Sequence, residues 1–66
     1  MNWDQVGGKW KQLKGKAQTQ WGKITDDRWT QIKGTREEIV GLVQENYGHA
    51  REKAEREVDD WMKTQS

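Results

Sequence analysis

Shifted by 26 positions, this chain lines up with itself. Trp3, Gln5, Gly8, Gly15, Gln18 and Gly22 fall on Trp29, Gln31, Gly34, Gly41, Gln44 and Gly48. Val6, Leu13 and Trp21 fall on the similar residues Ile32, Ile39 and Tyr47. Such a period describes one helical unit used twice, with the apolar faces that neither copy can bury alone turned toward each other. The architecture thereby accounts for most of the conspicuous residues, and few are left over for chemistry. Repeat one covers about residues 3–24, repeat two about 29–50, and a closing helix about 50–62, all within one domain spanning 1–66.

The period is helical throughout. Trp3, Val6, Trp10, Leu13, Ala17 and Trp21 recur at steps of three and four, which places them on one stripe at about 100° per residue. A break is expected near Gly7-Gly8, and Gly22 is expected to stop the first long helix in a left-handed conformation. Thr25 is placed to cap a short helix whose dipole suits Asp26 and Asp27, with Ile24 stapled onto Trp29 and the end at Gly34. Thr35 and Glu38 have the spacing of a capping box for the next helix. That helix turns Ile39, Val40, Val43 and Tyr47 one way and stops at Gly48. The last helix carries Ala50, Ala54, Val58, Trp61 and Met62 on one stripe, with Glu52–Arg56 and Asp59–Lys63 as pairs four residues apart on the other. Residues 64–66 are expected to fray. The predicted fold is all-α, with four or five short helices forming two αα-hairpins.

With 66 residues, 30% hydrophobic and 35% charged, the chain sits near the lower limit for a self-sufficient core. Five Trp compensate, because each can bury a large area. Gly15 and Gly41 fall opposite the apolar stripes, where a helical Gly costs about 1 kcal/mol relative to Ala. Either they allow a close helix approach or the fold is loose, and the stripe geometry favours the second.

Chemistry-bearing constellations are scarce. His49 is the only histidine and there is no cysteine, so neither a metal site nor a disulfide is expected. Neighbouring carboxylates at Asp26-Asp27 and Asp59-Asp60 point about 100° apart on a helix and cannot share a proton. No Ser or Thr has a base beside it. Gly8-Lys9, Gly15-Lys16 and Gly22-Lys23 do not follow a strand, so none reads as a phosphate-cradling loop. The reading is that of a chain without catalytic, cofactor-binding or metal residues, and no small-molecule substrate is evident. No apolar run approaches a secretion signal or a membrane span, which makes the cytoplasm the expected compartment.

Charge is uneven. Residues 1–34 hold seven Lys/Arg against three Asp, and residues 35–66 hold five against eight acids. Lys9, Lys11, Lys14, Lys16 and Lys23, interleaved with Trp10 and Trp21, form the one candidate interface. Lysines can neutralise phosphates while an indole stacks on an unpaired base. The competing reading makes the Trp residues core and lets the lysine stems flank the stripe with their ammonium groups in water. The stripe turns Trp10 and Trp21 inward and favours that second reading, leaving nucleic-acid binding possible but weak. A membrane-surface helix is disfavoured by Gln12, Gln18, Thr19 and Gln20, which leave few bulky anchors.

The run Asp4-x-x-Gly7-Gly8-x-Trp10-Lys11-Gln12-x-Lys14-Gly15-Lys16, followed by Gln20-Trp21-Gly22-Lys23-Ile24-Thr25-Asp26-Asp27, resembles the bacterial CsbD-like family. So do Ile32-x-Gly34-x-Arg36, Leu42-x-Gln44-x-x-Tyr47-Gly48 and Ala54-Glu55-x-Glu57-Val58-x-x-Trp61. The likeness runs from about residue 2 to 61. It implies a bundle of two orthogonally packed α-hairpins similar to the SAM-domain class. It further implies a small cytosolic protein made abundantly under general stress or in stationary phase, with no catalytic positions to carry over. The function expected is therefore that of a non-enzymatic, hydrophilic stress-response protein, acting by abundance or by weak contacts with other macromolecules.

Overall fold

A computed structural model describes residues 1–65. It contains five helices: α1 (Trp3–Gly8), α2 (Trp10–Gln20), α3 (Asp26–Gln31), α4 (Arg36–Tyr47) and α5 (Arg51–Lys63). No strand occurs among the described residues, so the all-α expectation holds. α2 packs on α3 and α4 on α5, while α1 leans on α2.

Local signals explain most of the boundaries. Asn2 and Gln5 form a capping box ahead of α1: Asn2 Oδ1 accepts from the Gln5 amide and Gln5 Oε1 from the Asn2 amide, both at 2.9 Å. The Thr35–Glu38 box is also present, and it is extended because the Lys33 amide donates to Glu38 Oε1 at 3.0 Å. Gly48 ends α4 at φ 67°, where its amide reaches the Gln44 carbonyl.

Several expectations need correction. Gly22 is not left-handed; among the described residues only Gly34 and Gly48 have positive φ. α2 instead leaves through Trp21, the Ile24 amide bonds back to the Trp21 carbonyl, and Gln18 Nε2 donates to the Ile24 carbonyl at 2.7 Å. That side chain closes the turn, and a left-handed residue is not required. Thr25 starts α3 with its backbone alone, without a side-chain cap bond. α3 stops at Gln31, short of Gly34. Ala50 is the exposed residue before α5 and does not belong to its buried stripe. Thr64 and Gln65 are tied by their amides to Trp61 and Met62. Ser66, also expected to fray, lies outside the described residues.

The core gathers Val6, Leu13, Ala17 and Ile24 from the first half with Ile39, Val40, Leu42, Val43, Ala54 and Val58 from the second. A row of tilted indoles runs through it. Trp10 and Trp29 have ring centroids 5.8 Å apart, Trp29 and Trp21 5.9 Å, and Trp21 and Trp61 5.6 Å. These are favourable offset geometries, each adding about 0.5–1.5 kcal/mol beyond area burial. Trp10 also donates its Nε1–H to the Trp29 carbonyl at 2.8 Å in a buried setting. Beside that bond the connection from α3 to α4 passes under the Trp10 ring at Gly34, whose φ is 87°. Trp3, Ile32, Tyr47 and Met62 pack against the edge of the core and remain half-buried.

Candidate functional site

Lys9, Lys11, Lys14, Lys16 and Lys23 all belong to α2 and its flanks, but the fold does not bring them together. At about 100° per residue, Lys11 and Lys14 project to one side of the Trp10–Leu13–Ala17 stripe and Lys9 and Lys16 to the other. Lys23 sits in the turn after α2, with Nζ 5.5 Å from the centre of the Tyr47 ring and its amide donating to Tyr47 Oη. The helical spacing that identifies the stripe also carries this division. Trp10 and Trp21 are 7% and 2% exposed, so neither offers a face for a base.

Lys11 and Lys14 border an open depression of ≈ 250 Å³ whose wall is mostly apolar, with Trp10 and Thr30 completing it. Lys14 Nζ donates to Thr30 Oγ1 at 3.0 Å across the α2–α3 junction. Among the described residues, none of Lys9, Lys11 or Lys16 has an ion-pair partner.

Arg28, Arg36 and Arg51 behave differently, because each links two helices through a carboxylate. Arg36, at the start of α4, reaches α5. Its Nε and Nη2 donate to Asp59 Oδ1 and Oδ2 at 2.9 and 3.1 Å, and Nη2 lies 3.2 Å from Glu55. Arg51 contacts Glu37 at 2.6 Å, and Arg28 on α3 lies 3.6 Å from Glu45 on α4. A planar fork suits this bidentate geometry better than an ammonium does. The hydrogen bond from Arg36 holds the Asp59 carboxyl below its ordinary range against the opposing effect of burial. Glu37 is lowered by the hydrogen bond from Arg51. At Glu38 burial pushes upward, yet hydrogen bonds from Thr35 and Lys33 outweigh it and the net shift is down. Arg36 and Arg51 are raised by the same carboxylates. All five shifts stabilise the charged form. A general acid or base needs the reverse.

Arg36, Glu55 and Asp59 line a groove of ≈ 510 Å³ together with Glu52, Arg56, Asp60 and Lys63. Asp59, expected to pair with Lys63 along α5, is also gripped across the helices by the fork of Arg36, while Lys63 adds its own attraction to the same carboxylate. His49 stacks on Tyr47 at 5.7 Å and lies 3.3 Å from Glu57, whose other oxygen accepts from Trp21 Nε1 at 3.3 Å. This arrangement fastens the α4–α5 turn to the end of α2. Among the described residues no three His, Asp or Glu side chains converge as a metal-binding group.

The pattern that defines the CsbD-like family matches residues 4–56. The chain belongs to the CsbD-like family. It is 56% identical over 63 residues to UPF0337 protein YjbJ of an Escherichia coli strain, covering 96% of this chain and 91% of that protein. A UPF0337 protein of Pectobacterium atrosepticum is 57% identical over 61 residues, covering 92% and 88%. A UPF0337 protein of Bordetella pertussis is 52% identical over 62 residues, covering 94% of each. The CsbD-like match includes the Trp10–Gly34 junction and the Arg36 clamp's base, while Asp59 and Trp61 lie beyond it. No helix among the described residues is long and apolar enough to cross a membrane.

Proposed function

We propose that this CsbD-like protein is a small, hydrophilic, non-enzymatic stress-response protein of the cytoplasm that acts by abundance or through weak contacts with other macromolecules. One observation carries the reading: among the described residues no large hydrophobic side chain is exposed. Tight protein interfaces are anchored by a few aromatic or aliphatic residues in desolvated pockets. Here four of the five Trp form the core and the fifth, Trp3, is half-buried against it. What remains outside is charged and polar, in a chain whose mean hydropathy is −1.34 overall. Such a surface gives soluble, weak and salt-screened contacts.

The test is protection of a labile enzyme through freezing, drying or heat in the presence of the purified protein. Protection should rise gradually with concentration, require a molar excess, and survive Lys11→Gln and Lys16→Gln. Saturation at one protein per enzyme, or loss on a single surface substitution, would contradict the reading.

A second reading, a weak nucleic-acid surface on the lysines of α2, is favoured by the unpaired state of Lys9, Lys11 and Lys16. Because the lysines divide into two rows, about two or three phosphates can be met at once. The log–log salt slope expected for a single strand is then about −1.4 to −2, at about −0.7 per contact. A slope near −3.5 (on the order of five contacts) or strong quenching of Trp fluorescence would show that the rows act together and that an indole is reached.

A further inference from the structure

The depression beside Trp10 combines a mostly apolar wall with two ammonium groups that, among the described residues, have no carboxylate partner. Trp10, 7% exposed, is one of its lining residues, and the indole is fixed on both sides. The indole N–H is held by the Trp29 carbonyl, and the ring lies against Gly34. A side chain clamped in this way cannot swing out to stack on a strand, but it offers a rigid apolar surface at no further ordering cost.

The rim supplies donors. Lys14 is half-buried, and its ammonium rests on a neutral hydroxyl, Thr30 Oγ1, at 3.0 Å. An ammonium has three N–H donors, so two stay available, and the Thr30 hydroxyl proton is also free because its oxygen is the acceptor in that bond. Lys11, one turn earlier on the same side of α2, adds a second ammonium. Elsewhere in this chain interhelical cations are met by carboxylates: Arg36 by Asp59 and Glu55, Arg51 by Glu37, Arg28 by Glu45. Here an oxyanion would have to come from outside.

We propose that Trp10, Lys11, Lys14 and Thr30 form a binding site for a small aromatic carboxylate. The ring covers the exposed part of Trp10, and the carboxylate accepts from Lys14, Lys11 and the Thr30 hydroxyl. The space, ≈ 250 Å³, lies below the range of about 300–1,000 Å³ typical of drug-sized ligands and fits a single ring. Charge-assisted hydrogen bonds orient the anion, and the apolar wall distinguishes it from bare phosphate. The site is open to water, so affinity in the millimolar range is expected. This inference is independent of the protective role proposed above, and either can fail alone.

Benzoate, benzyl alcohol and inorganic phosphate serve as probes in a ¹⁵N–¹H titration of the full chain, which reads the Trp10 indole N–H and the amides of Lys11, Lys14 and Thr30. Benzoate is expected to shift these signals saturably. Benzyl alcohol, which lacks the charge, and phosphate, which lacks the ring, should each bind at least about fivefold more weakly. Lys14→Gln should weaken benzoate by about fivefold or more while signals remote from the site keep their positions. Lys11→Gln provides a second reading from an exposed position on the rim. Non-saturating shifts, shifts spread equally over Lys9, Lys16 and Lys23, equal binding of phosphate, or benzoate affinity unchanged in both variants would each overturn the proposal.

Discussion

Gly34 is the position where one methyl group should do the most damage. Its φ of 87° lies in the left-handed region, and a Cβ built there falls 2.7–2.9 Å from three atoms of the Trp10 indole. Left-handed backbone costs a side-chain-bearing residue about 1–2 kcal/mol. Forcing the indole aside adds an overpacking cost of about 1–3 kcal/mol. The ring cannot give way freely, since moving it strains the Trp10–Trp29 hydrogen bond and the tilted contact behind it. Against this, replacing Gly restricts the unfolded chain and returns about 0.4–1 kcal/mol. The net loss expected for Gly34→Ala is about 2–4 kcal/mol, comparable to the whole stability of about 3–5 kcal/mol that a core of this size supplies. Gly48→Ala separates the two causes, because Gly48 is also left-handed (φ 67°) but has nothing within 4 Å of a built Cβ. It should lose about 1 kcal/mol or less. Urea melts followed by circular dichroism measure both variants. If Gly34→Ala is no worse than Gly48→Ala, the Trp10 ring is not packed on that loop and the account of the junction is wrong.

The other glycines give the opposite sign. Gly15 and Gly41 are helical, exposed and open around a built Cβ, so Gly15→Ala and Gly41→Ala should each stabilise by about 0.5–1 kcal/mol in the same melts; destabilisation by either would refute the looseness reading. The depressed Asp59, Glu37 and Glu38 carboxyls favour the folded state above their unfolded range. That contribution is lost as pH falls through about 4 and below. The urea midpoint should therefore drop between pH 7 and pH 3, and by less in Asp59→Asn, whose Arg36 contact no longer titrates; an equal drop would place the acid sensitivity elsewhere. Fragments 1–34 and 24–66 each lose one side of the core and fall below or close to the limit of about 40 residues for a chain that folds alone, so circular dichroism should find both mostly unstructured. A cooperative melt in either would make the halves independent units.

The parts of this fold legible in the sequence are those decided within one turn of helix. The Thr35–Glu38 box, the stop at Gly48 and the inward turn of Trp10, Leu13, Ala17 and Trp21 depend on spacing alone. The Asn2–Gln5 box has the same kind of signal and could have been read the same way. Glycine, in contrast, permits a left-handed turn without requiring one. Gly22 and Gly34 look alike in sequence, and the difference comes from distant partners. Gln18 closes the turn at Gly22, whereas Trp10 covers the backbone at Gly34. The Arg36–Asp59 clamp joins residues 23 positions apart, beyond any local pattern. The lysines were legible as charge, and their division into two rows follows from helical geometry. The depression at Trp10 was not legible, because Thr30 reaches it only once α3 folds back on α2.

The central claim is that the surface offers only weak contacts, and sedimentation tests it most directly. Labelled full-length protein is added at trace level to undiluted lysate from stressed bacteria at physiological salt, and its velocity profile is recorded. The account expects one slow boundary, that of the free 7.8 kDa chain, unchanged by excess unlabelled protein. A discrete faster species that unlabelled protein displaces would reveal a saturable, specific partner and contradict it.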